Sequence, residues 1–126
     1  MSEYCEFHSE KVEPTEINNY RLNHDKERIN NETIPELRRR IKINTDIYRH
    51  DFEDYQFLKR RYLNFEGDHT LYYPSSELYQ QSIQSYQEER KRYAIKLNSR
   101  RQYVTYCLNI LSNKVQQQVN QERVNA

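Results

Sequence analysis

From Ile34 onward, apolar and polar positions recur with a period of about 3.5 residues, which is typical of helices that pack side by side in coiled coils. Eight of the first ten a and d heptad positions are apolar or aromatic. These positions are Ile34, Leu37, Ile41, Asn44, Tyr48, Asp51, Tyr55, Leu58, Tyr62 and Phe65. The pattern predicts a long amphipathic helix with one continuous apolar seam.

Local signals give the expected ends of this helix. Thr33 and Glu36 have the spacing of a capping box, in which each side chain accepts a hydrogen bond from the other residue's backbone amide. Pro35 lies in the first turn, where a missing N–H costs no helical hydrogen bond. The single glycine of the chain, Gly67, is suited to a left-handed C-terminal cap. We therefore predict a helix over 33–66.

A second helix is predicted after a loop over 67–75. Pro74 disfavours helical geometry at the residue before it, and Ser75 or Ser76 can cap the helix that follows. We expect this helix over 76–115 and a fraying polar tail over 116–126. Its seam is Tyr79, Ile83, Tyr86, Arg90, Tyr93, Leu97, Arg100, Val104, Cys107 and Leu111.

Two long helices joined by a short loop favour an antiparallel hairpin. With the turn centred between Gly67 and Pro74, Tyr48 faces Tyr93 and Tyr55 faces Tyr86. The same register places the seam carboxylate of Asp51 opposite the seam guanidinium of Arg90, an ion pair that would make other registers costly. The predicted fold is an all-α, coiled-coil-like helical hairpin.

The N-terminal arm over 1–32 differs from this body in charge. Residues 1–33 carry a net charge of −4, whereas residues 34–115 carry +5. A short helix opening at Pro14 would carry Ile17, Tyr20 and His24. The alternative is an arm that is partly disordered and folds only on a partner.

Composition excludes several classes of protein. Hydrophobic residues make up 35%, the mean hydropathy is −1.23, and one glycine cannot form a Gly-rich phosphate loop. No apolar run approaches the ~20 residues of a membrane-spanning helix. The two cysteines, Cys5 and Cys107, are far apart, which favours reduced thiols in the cytoplasm, with the nucleus left open.

Candidate chemistry is sparse. Cys5 and His8 have a metal-ligand spacing, to which His24 could add a third ligand and His50 or Cys107 a fourth. Zinc sites normally use two such close pairs, however, and only Cys5 with His8 qualifies. Cys107 falls on the seam, where cysteine behaves as a small buried hydrophobe and not as a nucleophile. We therefore expect no catalytic residue, no cofactor and no metal.

Aromatic side chains outside the seam are better candidates for contact with a partner. Tyrosine accounts for twelve of the 126 residues, and aromatic residues are enriched at interface hot spots. The partner-contact candidates are Tyr72, Tyr73, Tyr103, Tyr106, Phe52 and Phe57. Further apolar residues lie off the seam, among them Ile43, Ile47 and Ile95, and these need cover from the acidic arm, a second copy or another protein.

These features predict a non-enzymatic structural or adaptor protein that binds a protein partner through its hairpin. A cytoskeletal or axonemal filament, or a multi-subunit complex, would suit a long basic rod. The alternative is a nucleic-acid-associated protein that uses basic clusters such as Arg38–Arg40 and Lys59–Arg61. Acidic residues interleave with those clusters, and a pI of 7.8 is low for a dedicated nucleic-acid binder.

Overall fold

The computed structural model describes residues 19–72 and 76–125, without the side chains of 63–72 and 76. Three helices follow one another: α1 over Tyr20–Asn31, α2 over Ile34–Tyr72 and α3 over Ser76–Asn125. Within these described ranges there is no strand. α2 and α3 pack along each other and α1 packs on α3, so the all-α helical hairpin is confirmed.

α2 begins as the sequence predicts. The backbone amide of Glu36 donates to Thr33 Oγ1 at 3.3 Å, and the amide of Thr33 donates to Glu36 Oε1 at 3.2 Å. The reciprocal pair satisfies two amides that the first helical turn leaves without a backbone partner. The capping box therefore sets the start of the hairpin.

The far ends of both helices differ from the prediction. α2 passes through Gly67 and ends at Tyr72, two residues before Pro74. A glycine within a helix costs only about 1 kcal/mol, whereas proline is incompatible with a helix interior. α3 also continues past 115 to Asn125, through the segment predicted to fray.

The register of the hairpin is one heptad away from the prediction. The Tyr55 ring lies 6.4 Å from the ring of Tyr93, and the Tyr62 ring stacks on Tyr86 at 3.9 Å. Asp51 Oδ1 lies 3.3 Å from the ammonium of Lys96. The predicted pairs, including Asp51 with Arg90, are therefore wrong, because the turn lies closer to Pro74 than to Gly67.

The predicted seams form the core. Every seam position from Ile34 to Tyr62, and every one on α3, is buried or half-buried. The side chains completely shielded from solvent on these two helices are Leu37, Ile41, Ala94, Leu97 and Cys107. A change of register by one heptad still places the seam of α2 against the seam of α3. The same residues are therefore buried, although each contacts a different partner from the one predicted.

α1 covers one side of α3 near the start of α2. Asn19 caps α1 by accepting from the amide of Leu22 at 3.1 Å, and its Nδ2 donates to the carbonyl of Ser99 at 2.7 Å. Leu22 and Ile29 are the buried residues of α1. Tyr20 and His24 lie in α1, as the predicted short helix requires, and both are exposed; Ile17 lies outside the described residues.

Candidate functional site

A chain of hydrogen bonds joins the three helices around Arg40. Arg40 Nε pairs with Glu32, which follows α1, and Arg40 Nη1 donates to the Tyr103 hydroxyl of α3 at 2.9 Å. That hydroxyl donates in turn to Asp25 Oδ2 of α1 at 2.8 Å. Arg40 therefore links α2 both to the α1 region and to α3.

Two members of this network, Asp25 and Tyr103, have pKa values shifted away from neutral pH. Burial and the hydrogen bond to Asp25 raise the pKa of Tyr103 to about 12. The hydrogen bond with His24, followed by the one from Tyr103, lowers the pKa of Asp25. At neutral pH the phenol is therefore neutral and the carboxylate charged. We call the four residues Asp25, Glu32, Arg40 and Tyr103 the clamp, because their contacts join the three helices.

A cleft of about 340 Å³ lies beside the clamp where the three helices meet. α1 contributes Arg21, and α3 contributes Arg100. The α2 wall includes Arg39, Ile43 and Ile47. Of these two isoleucines, Ile43 is 53% exposed and Ile47 37% exposed. The cleft thus combines cationic groups with an apolar wall open to solvent.

The carboxylates that line the cleft are occupied by partners within the chain. Asp25 accepts from Tyr103, Glu32 pairs with Arg40, and Glu36 accepts from Thr33. Among the residues that the structure describes, Arg21, Arg39 and Arg100 are within ion-pair distance of no carboxylate. The side chains that line the cleft include four guanidinium groups and three carboxylates, so the lining has a small excess of positive charge.

The hydrogen bond of Arg100 is to a neutral side chain. The Arg100 Nη1 donates to Asn44 Oδ1 at 2.6 Å. Burial, followed by repulsion from Arg21, lowers the pKa of its guanidinium, although Asp51 partly offsets both effects. The guanidinium still stays protonated at neutral pH. It therefore carries a half-buried charge beside a like charge.

The predicted partner-contact residues differ in how far their side chains are exposed to solvent. Tyr103 is buried, which contradicts its prediction, because α1 covers it. Tyr106 is half-buried and donates to Asn30 Oδ1 at 2.7 Å, and Phe52 stacks against Tyr48. Phe57 is 58% exposed, so its side chain remains available. The Tyr72 side chain and Tyr73 lie outside what the structure describes.

Groups with metal-binding or nucleophilic chemistry are few in the described part of the chain. Potential ligand atoms of His50, Asp51 and Asp54 lie within 4.8 Å of one another. Asp51, however, already pairs with the Lys96 ammonium, and His50 pairs with Asp54 at 3.6 Å. Of the metal candidates named from the sequence, Cys5 and His8 lie outside the described residues.

Cys107 is buried, as its seam position predicts. Its side chain has no solvent exposure, and burial raises the pKa of its thiol to about 11. Nucleophilic cysteines need a thiolate, which such a pKa makes scarce at neutral pH. The residue is therefore part of the packed core.

Comparison with known proteins gives no relative. No protein-family model, no curated protein and no solved structure matches the chain. None of the helices in the described ranges has the length and apolar content required to cross a membrane. Functional inference therefore rests on the surface chemistry of the hairpin.

Proposed function

We propose that this chain is a non-enzymatic structural or adaptor protein that presents its helical hairpin to a protein partner. The observation that carries the proposal is a set of large apolar side chains exposed on the two long helices. Among the described residues of α2 and α3, the exposed members are Ile43, Ile47, Phe57, Leu78, Ile95 and Val124. Their recurrence along the hairpin favours an extended contact over a single small-molecule pocket.

The dimensions of the hairpin support this use. α2 has 39 residues and α3 has 50, so at 1.5 Å per residue the longer helix extends about 75 Å. One exposed part of this surface combines an aromatic and a cationic side chain. The Arg61 guanidinium lies 6.0 Å from the ring centroid of Phe57. Aromatic and Arg side chains together are typical of interface hot spots.

The titratable groups of the helix junction support a non-enzymatic role. Tyr103 and Asp25 have pKa values shifted away from neutrality in opposite directions, and each is hydrogen-bonded within the clamp. Groups poised for proton transfer are normally tuned towards neutral pH. The clamp is better suited to holding α1 on the hairpin.

The class of partner follows from charge. Residues 34–115 carry a net charge of +5, which would complement the acidic surface of a filament or of a multi-subunit assembly. A nucleic acid is the alternative acidic partner. Binding to it would weaken steeply as salt is raised, because phosphate contacts release counterions.

Site-specific photocrosslinking in extract from the cell of origin tests the proposal. A photoreactive phenylalanine analogue would replace Phe57 in the full chain, and Gln87, an exposed polar residue of α3, would carry it in the control. We expect discrete protein adducts at Phe57 that persist in moderate salt and are absent at Gln87. Equal labelling at both positions, or adducts with nucleic acid alone, would overturn the proposal.

A further inference from the structure

We propose that the cleft at the helix junction binds an acidic segment of a protein partner, with carboxylates on Arg21, Arg39 and Arg100 and an aliphatic side chain against Ile43 and Ile47. This inference rests on the proposed function, since it names where and by what chemistry the partner is recognised. It does not require the Phe57 surface to be part of the same contact.

The juxtaposition of Arg21 and Arg100 favours an anionic group between them. Of the three carboxylates in the cleft, Asp25 and Glu32 lie beside the Arg40 guanidinium, and Glu36 accepts from Thr33. Arg100 and Arg21 repel each other across the cleft, and this repulsion contributes to the lowered pKa of Arg100. A carboxylate placed between two guanidinium groups would replace that repulsion with two charge-assisted hydrogen bonds.

Partial burial of Arg100 strengthens its electrostatic attraction to a bound carboxylate. Arg100 is half-buried, and the surrounding protein lowers the effective dielectric below that of water. Its bond to Asn44 fixes the guanidinium before any ligand arrives. Because that group is already ordered, binding would cost less side-chain entropy than binding to an exposed arginine.

The arrangement along α2 selects a peptide over a bare anion. Arg39, Ile43 and Ile47 follow one another at intervals of four residues, so they form one ridge about 12 Å long. The ridge is cationic at one end and aliphatic over the rest. An acidic residue followed by an aliphatic residue in an extended or helical segment could contact both parts at once.

Fluorescence anisotropy with the purified full chain tests this proposal. The probe is a short fluorescein-labelled peptide of alternating glutamate and leucine, and a second peptide has glutamine in place of glutamate. We expect Arg39→Gln and Ile43→Ser each to weaken binding of the acidic probe by about ten-fold. Arg92→Gln, which removes an exposed guanidinium outside the cleft, should leave binding within about two-fold.

Arg39 and Ile43 are exposed, so their variants should keep the helical content of the parent by circular dichroism. Equal binding of the glutamine peptide, or equal loss in Arg39→Gln and Arg92→Gln, would overturn the proposal. A third outcome would also overturn the proposal. If inorganic phosphate displaces the probe and Ile43→Ser has no effect on binding, the cleft is a site for small anions.

Two further experiments distinguish a partner's segment from this chain's own N-terminal segment, and failure of the cleft proposal from failure of the proposed function. A synthetic peptide of residues 1–18 that binds more tightly than the acidic probe would assign the cleft to this chain's own segment and overturn a partner's role. Photocrosslinks at Phe57 that persist in Arg39→Gln, while the probe fails to bind the parent chain, would overturn the cleft alone and leave the proposed function standing.

Discussion

The rings of Tyr62 and Tyr86 stack across the hairpin, with centroids 3.9 Å apart and planes within 7° of parallel. Tyr55 and Tyr93 meet at the same register further from the turn. Stacked aromatic pairs contribute about 0.5–1.5 kcal/mol beyond the area they bury. These two contacts distinguish the observed register from the neighbouring one, which would bring Tyr55 to Tyr86.

Removing the Arg40 guanidinium should loosen all three helices. Arg40→Gln leaves the largely buried Glu32 carboxylate without its ion-pair partner, and it removes a hydrogen bond to Tyr103. Because the site is partly exposed, we expect a loss of about 2–4 kcal/mol in the free energy of unfolding. Urea denaturation followed by circular dichroism measures it.

The matched control is Arg38→Gln, which removes an exposed guanidinium two residues earlier on α2. It should change the free energy of unfolding by no more than about 0.5 kcal/mol. Equal effects of the two substitutions would mean that the clamp adds nothing to stability.

Loss of the capping box should lower the free energy of unfolding by less than Arg40→Gln does. Thr33→Ala removes the hydroxyl that accepts from the Glu36 amide, and we expect a loss of about 1 kcal/mol. Thr105→Ala makes the same change at an exposed position of α3, where alanine favours the helix. Urea midpoints that shift equally for both variants would contradict a capping role.

Stability should decline at alkaline pH. Burial raises the pKa of Cys107 to about 11 and that of Tyr103 to about 12. The folded chain therefore keeps protons that the unfolded chain loses above about pH 9, so the stabilisation is complete below that pH and falls as pH rises.

Urea denaturation at pH 7 to 11 checks this decline, with Cys107→Ala as the comparison. The variant should begin less stable, because it leaves a small cavity, but should lose on the order of 2 kcal/mol less than the parent between pH 9 and 11. Parallel pH profiles for the two chains would show that the thiol does not contribute to the decline.

The seams and the start of α2 follow from local sequence. Thr33 and Glu36 need only each other to form the cap, and heptad periodicity identifies the buried face without knowledge of the partner helix. Ile41, Tyr48 and Leu97 are buried for this reason. Both features depend on neighbours within one helix, which is the range over which a sequence pattern is informative.

The register and the clamp depend on contacts distant in sequence. A heptad repeat matches itself after one heptad, so the pairing depends on where the turn lies, and the sequence offered both Gly67 and Pro74. α1 buries only Leu22 and Ile29. Their spacing of one heptad is the only sequence signal for the packed face of α1, and two positions are too few to predict it.

Cysteine crosslinking of the hairpin tests the central claim most directly. In a Cys5→Ser background, Tyr62→Cys with Tyr86→Cys would be treated with a thiol crosslinker that spans the ~8–10 Å between packed helices. We predict rapid intramolecular crosslinking of this pair. Tyr55→Cys with Tyr86→Cys, offset by about 10 Å along the rod, should remain uncrosslinked. Crosslinking of the second pair in preference to the first would contradict the hairpin register and the cleft that depends on it.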